Sequence, residues 1–276
     1  MGSRCHWLIV ALACGLSPEE AVVQDHGTTA PRTLHRALDD FAVALDERWS
    51  YRHANRADFD GAIRALRTKI DAGLPTDALG LELQKIIALG IDGHAGVSGY
   101  TPPGGAYLPF LIEPHGERFV AFGRERTDFR AEGHPYVTKI DGRDVADWCA
   151  AAAALVPKGS PQYVRQRCLA RLANLGLVRG MLGMARKDSV EVALAASDGT
   201  AHLTLTLPVA ASAPSYGTWP RGGSRLLEGN VGYLRLPTMV QSTSIQEIKR
   251  WMPAFRDTAG LIVDVRDNNG GERDAL

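Results

Sequence analysis

The tightest constraint on this 276-residue chain lies in residues 230–276, NVGYLRLPTMVQSTSIQEIKRWMPAFRDTAGLIVDVRDNNGGERDAL. Val231, Tyr233, Leu234 and Leu236 spell a short apolar strand that Pro237 closes, and residues 261–265 spell a second Val/Ile/Leu run of the kind buried on both faces. Between them Ile245, Ile248, Trp251, Met252 and Phe255 fall on one side at helical spacing, with Ser242 or Ser244 as the cap. Strand, helix and strand in about 35 residues predict a right-handed parallel crossover, the start of an α/β layer. The second strand runs into Asp264-Val265-Arg266-Asp267-Asn268-Asn269-Gly270-Gly271, and residues 272–276 read as the first turn of another helix. A Gly-Gly pair there leaves backbone N–H groups uncovered, where they can face an anion or a developing oxyanion. Taken alone, the pair reads as a plain strand-to-helix turn.

The whole string says more. GNVGYLRLPTM, a helix, then GLIVDVRDNNGG resembles the tail-specific, or C-terminal processing, serine protease family, whose relatives include the tricorn protease core and retinoid-binding modules. The resemblance implies a crotonase-like α/β core over 224–276, with Gly270 and Gly271 supplying the oxyanion hole. It also implies that the nucleophilic serine falls past Leu276, so the chain is expected to be an N-terminal fragment with an incomplete core. Packing points the same way, because two parallel strands and one helix cannot cover a sheet apolar on both faces.

Upstream, a polar linker at 24–32 gives way to helical periodicity: Leu34, Leu38, Phe41, Ala42 and Leu45 share a face, followed by Trp49 and Tyr51. Asp58 is a natural cap for a second helix through Ile63, Leu66 and Ile70, stopped by Gly73-Leu74-Pro75. Thr76 or Asp77 caps a third, which buries Leu79, Leu83, Ile86, Ile87 and Leu89. Residues 33–100 therefore read as a small helical cap domain ending in Asp92-Gly93-His94-Ala95-Gly96. A lone loop histidine is usually solvated or structural. The family resemblance makes His94 the general base, because tricorn-like members carry a helix followed by such an element. The serine and any acid orienting His94 are expected outside the chain. Gly96-Val97-Ser98-Gly99 falls short of a nucleophile elbow, since its second glycine is one place early and no strand-turn-helix surrounds it. Gly104-Gly105 lacks the Lys-Ser/Thr of a phosphate loop.

From Tyr107 the pattern shortens to strands at 107–112, 119–122 and 136–140, with a hairpin turn at 114–116. Lys139-Ile140-Asp141-Gly142-Arg143-Asp144-Val145, with the helix around Trp148, resembles part of the PDZ-like module that this family inserts between cap and core. Such modules add a peptide strand to a sheet edge. Helices over 145–155 and 161–178 and strands over 189–195 and 201–207 complete a module at 107–208. Arg165, Arg167, Arg171 and Arg179 read as a solvated helix face rather than an anion-binding strip. A Pro/Ser/Gly/Ala-rich linker at 208–223 leads into the core.

Arg4, an apolar stretch over 7–16 and Ala11-Leu12-Ala13 lay out a secretory signal within 1–23, too short to span a bilayer. Cys14 after Ala-Leu-Ala also resembles a lipoprotein site that would anchor the chain to a membrane, although Ala11 stands where Leu or Val is usual. Export to a periplasmic or extracellular compartment is expected. There Cys149 and Cys168 either pair or remain two buried thiols, the second being preferred. Lys plus Arg equal Asp plus Glu at 31 each, which disfavours nucleic acid as a partner. No Cys/His spacing marks a metal site, and no cofactor motif is present.

The expected architecture is thus α+β and multidomain: a helical cap, a PDZ-like β module with helices, and the start of a crotonase-like core. The expected function is a serine-type endopeptidase acting on unfolded or C-terminal peptide segments, inert as a fragment. A non-catalytic binder of peptides or small hydrophobic ligands on the same scaffold is the alternative. A crotonase-type acyl-CoA enzyme is weaker, since it predicts neither cap nor insert. Oligomeric state and the choice between Ser-Lys and Ser-His branches stay open.

Overall fold

The computed structural model describes residues 30–54, 56–102, 105–216, 222–266, 268, 270 and 271. The signal-like segment, Cys14 and the expected helix at 272–276 lie outside the described residues. By its contacts the chain divides into two units, Met1–Thr218 and Trp219–Leu276, a break inside the Pro/Ser/Gly-rich linker.

The first unit begins with α1 (Ala30–Arg48), which starts within the expected linker. Helix α2 (Phe59–Asp71) follows, its N-terminus closed by Asp58 Oδ1, which accepts the Gly61 N–H at 2.7 Å. A single 3₁₀ turn (Thr76–Ala78) then enters α3 (Leu79–Ile87). Neither Thr76 nor Asp77 caps it by side chain; Pro75 occupies the cap, and its fixed φ of −59° sets the entry. The three helices close on Leu38, Phe41, Leu45, Leu66, Ile70, Leu83 and Ile87. Each such side chain contributes on the order of 1.5–3 kcal/mol through burial. Trp49 meets Phe59 edge-on at 5.4 Å, whereas Tyr51 is exposed.

An antiparallel sheet comes next: β1 (Leu111–His115), β2 (Arg118–Phe122), β3 (Tyr136–Ile140), a short β4 (Arg143–Asp144), β5 (Ser189–Ala195) and β6 (His202–Pro208). The order is β1-β2-β3-β5-β6, antiparallel throughout, with β4 on β3. The first hairpin turns at Gly116, φ +57°, rather than at Pro114, which lies inside β1. Proline is tolerated there because β1 is an edge strand. Tyr107 forms only an isolated bridge to Ala210. Between β4 and β5 run α4 (Val145–Ala152), a 3₁₀ turn (Ala153–Leu155), α5 (Pro161–Leu172) and α6 (Leu175–Met181). The single helix expected over 161–178 is split, because Asn174 caps α6 by accepting the Leu177 N–H at 3.1 Å. These helices and the inner residues of the sheet, including Val190, Val192 and Leu194, share one core. Trp148 is buried in it, its indole N–H donating to Ile140 O at 2.9 Å.

Arg179 departs from the expected solvated face. It is buried, donating to Asp141 Oδ2 at 2.9 Å and to the Lys187 and Ser189 carbonyls. Arg165 lies over the Phe119 ring and donates to the Gly116 and Arg118 carbonyls. In both cases the sheet beside the helix supplies acceptors that helical periodicity alone does not show.

The second unit holds β7 (Arg225–Leu227), antiparallel to β8 (Val231–Arg235), then α7 (Gln241–Trp251) and β9 (Gly260–Asp264), parallel to β8. Strand β7 had no signal in the sequence, being three residues long. Ser244 does not cap α7; its hydroxyl donates to the Thr238 and Val240 carbonyls, and Val240 holds the cap position. Leu234, Leu236 and Phe255 form the core with Ile248 and Trp251. Strand β9 is not buried on both faces as its composition predicts: Leu261, Ile262 and Val263 are each more than 40% exposed, because α7 and β8 cover only part of it.

Candidate active site

The turn at 88–97 that follows α3 is tied down from several directions. Gln84, buried on α3, accepts the Val97 N–H through Oε1 at 2.9 Å and donates Nε2 to Leu155 O at 3.0 Å. Lys158 N–H donates to Gly90 O at 2.8 Å, and Tyr163 donates its hydroxyl to Gly93 O at 3.4 Å. Gly93 and Gly159 both press on Tyr163, since a Cβ at either would come within 2.7 Å of its ring or hydroxyl.

Asp92 is buried inside this turn. Its Oδ2 accepts the Trp49 indole N–H at 2.9 Å, and its Oδ1 accepts the His94 backbone N–H at 2.9 Å. The same Oδ1 stands 3.5 Å from His94 Nδ1, while the His94 side chain is 89% exposed. A carboxylate at that distance from Nδ1 can influence which way the ring turns. Asp92 is thus an acid within this chain that stands beside the His94 ring, where sequence reasoning looked for one only outside it. Its position two residues before the histidine, where an Asp readily accepts the i+2 N–H, was the available signal. Gln84 was also missed; a polar side chain between Leu83 and Ile86 on an apolar helix face was its only mark.

In the second unit, β9 ends at Asp264, buried and bonded to the Tyr233 hydroxyl. Arg266 reaches back with Nε and Nη2 at 2.8 and 2.7 Å and its backbone N–H at 3.0 Å, and Arg235 Nη1 stands 3.7 Å away. The Arg266 guanidinium and then the Tyr233 hydroxyl hold the Asp264 carboxyl far below the usual carboxylate range. Beyond it Asn268 Nδ2 donates to Leu236 O at 3.0 Å, and its Oδ1 accepts the Gly270 N–H at 2.8 Å. Gly270 O accepts the Met239 N–H at 3.0 Å, and Gly271 bridges Met239 in parallel. Gly270 has φ +91°, and a Cβ on Gly271 would meet the Met239 carbonyl and, at 2.8 Å, Val240 N. Each glycine thus has its own reason. The Gly271 N–H has no partner among the described residues, whereas that of Gly270 is engaged by Asn268.

His94 belongs to the first unit and gathers Asp92, Tyr163, Lys158 and Arg167 around it; Gly270 and Gly271 belong to the second, with Asp264 and Asn268. Cys149 and Cys168 are free thiols; burial pushes Cys149 up to about 12 and raises Cys168, the opposite of a reactive cysteine. Among the described residues no group of three His, Cys, Asp or Glu could hold a metal, and no helix is long and apolar enough to cross a membrane.

Residues 230–276, the strand, helix, strand and Gly-Gly turn just described, match the model of peptidase family S41. Over that stretch the chain is similar to the S41 peptidases. This S41 segment is the same string that resembles the tail-specific proteases. The mixed α/β fold is similar to the crystal structures of mature CPAF (17% identity over 88% of this chain, TM-score 0.55) and of a CPAF serine-to-alanine mutant (17%, 88%, 0.60). The chain spans 57% and 58% of those two chains. No curated protein matches it by sequence.

Proposed function

We propose that this chain furnishes the base and the oxyanion donor of a serine-type endopeptidase that cuts unfolded or C-terminal peptide segments. The observation that carries the reading is the buried Asp92 carboxylate set against Nδ1 of an exposed His94, in a chain that also holds the S41 segment. In the reaction, His94 Nε2 takes the proton of a serine hydroxyl as its oxygen bonds to the peptide carbonyl carbon. The imidazolium, stabilised by Asp92, then gives that proton to the departing amine as the C–N bond breaks. The Gly271 N–H bonds the oxyanion, and Gly270 makes the turn that presents it, adding its own N–H if Asn268 releases it. The attacking serine is not assigned within these residues. The sheet's outer strands, β1 and β6, offer edges to which an extended substrate adds, as a PDZ-like module would use them. The signal-like N-terminus supports export of the enzyme, through an ordinary signal peptide or with Cys14 as a lipid anchor.

The test is peptidase turnover by the full-length protein and its His94→Ala variant. The reading predicts loss of kcat by at least about 100-fold with KM little changed. Unchanged turnover removes His94 from the mechanism, and no turnover by the parent protein on any unfolded substrate favours the binding-protein reading instead.

A further inference from the structure

A cleft of about 340 Å³ opens beside His94, between the turn at 88–97 and the start of α5. Three cationic or cation-forming side chains line it, His94, Lys158 and Arg167, and among the described residues no acidic side chain does. Several basic side chains elsewhere in the first unit are paired internally: Arg52 with Asp46 and Asp60, Arg67 with Asp39, Lys69 and Lys85 with Glu82, Arg179 with Asp141. Lys158 and Arg167 have no ion pair among the described residues. The nearby negative charge, Asp92, is buried behind the turn and bonded to the Trp49 and His94 N–H groups, so it does not line the cleft. Tyr163 forms a wall of the cleft, its ring 5.6 Å from the Arg167 guanidinium carbon and packed against the backbone at Gly93 and Gly159, which holds it in place.

We infer that this cleft is a specificity subsite for an acidic side chain, Asp or Glu, of a peptide whose scissile bond is presented to His94. Arg167 offers a planar fork to a carboxylate, Lys158 a mobile point charge, and the Tyr163 ring covers the methylene stem. The volume suits one side chain with its peptide unit, at the small end of ligand sites. The identity of the ligand as a peptide rests on the peptidase reading; the cationic cleft itself does not.

The experiment measures fluorescence polarisation of two labelled extended peptides, identical except for one Glu or Gln, on the whole 276-residue chain and on its Lys158→Gln/Arg167→Gln variant. Both substituted residues are exposed, so the thermal midpoint of the variant should match that of the parent. The Glu peptide is expected to bind about tenfold more tightly than its Gln twin, as a charge-assisted hydrogen bond gives. The double variant should abolish that ratio without weakening the Gln peptide, and raising salt from about 50 to about 500 mM should shrink it in the parent. Equal binding of the two peptides, or a ratio that survives the double substitution, overturns the inference. Inorganic phosphate that displaces the Glu peptide completely at equal concentration overturns the peptide assignment and leaves a general anion site. Because no turnover is read and His94 is untouched, failure here is separate from failure of the His94→Ala assay.

Discussion

The two turns proposed to do chemistry are built on one plan and differ in what they present. At 92–94 and at 264–266 a buried aspartate accepts the backbone N–H two residues on and a bond from a distant aromatic, Trp49 in one case and Tyr233 in the other. Among the described residues no Lys or Arg pairs with Asp92, and the side chain beside it is an imidazole turned to solvent. Around Asp264 an arginine closes the carboxylate from two sides, and beyond it lie Asn268, Gly270 and a Gly271 N–H with no partner among the described residues. A general base must keep an accessible lone pair, whereas an oxyanion donor must not move. The looser anchor serves the first need and the tighter one the second.

Removing the tighter anchor should cost most. Asp264→Asn leaves the half-buried Arg235 without its counter-charge and weakens the Tyr233 bond, and should lower stability by about 3 kcal/mol in urea melts. A cost equal to that of Asp92→Asn would erase the contrast. Acid should separate the two turns in the same sense. The unfolded chain protonates Asp264 near the ordinary 3.8, and the folded chain resists to much lower pH. Its stabilisation is therefore whole above that value and is lost as pH falls below it, a trend that Asp264→Asn should flatten in melts taken from about pH 5 to 2.

The glycines sharpen the second turn. Gly271→Ala drives a methyl into the Met239 backbone and should cost about 2–3 kcal/mol, with turnover of the full-length protein lost. Gly270→Ala meets no atom within 4 Å and carries only the left-handed φ penalty, about 1 kcal/mol. Reversed ranks would mean that the turn is not held against Met239. At the first turn Asp92→Asn keeps one acceptor oxygen and turns its amide NH2 against either the Trp49 indole or the His94 backbone N–H, so stability should fall by about 1–2 kcal/mol while kcat falls with KM steady. A parallel loss in KM would make Asp92 merely structural.

Local signals carried much of this architecture. The Asp58 cap, strand β3 and strand β5 follow from residue type and alternation, and the S41 segment from its string. What sequence withheld is tertiary: the Trp49–Asp92 bond joins residues 43 apart, and the Gln84 bond to Leu155 joins residues 71 apart. Asn174 hid because Leu169, Leu172 and Leu175 keep helical spacing across the break it caps. Arg179 hid because its acceptors come from a strand and a turn that helical periodicity cannot see. The exposure of β9 shows the converse, for an apolar run reports what a strand suits rather than what covers it.

A crystal structure of the full-length protein bound to a peptide aldehyde tests the central claim most directly. The account predicts the hemiacetal oxygen about 2.7–3.1 Å from the Gly271 nitrogen, with His94 Nε2 in hydrogen-bond reach of the attacking serine oxygen. An imidazole remote from that oxygen, or a Gly271 N–H bonded elsewhere, would contradict it.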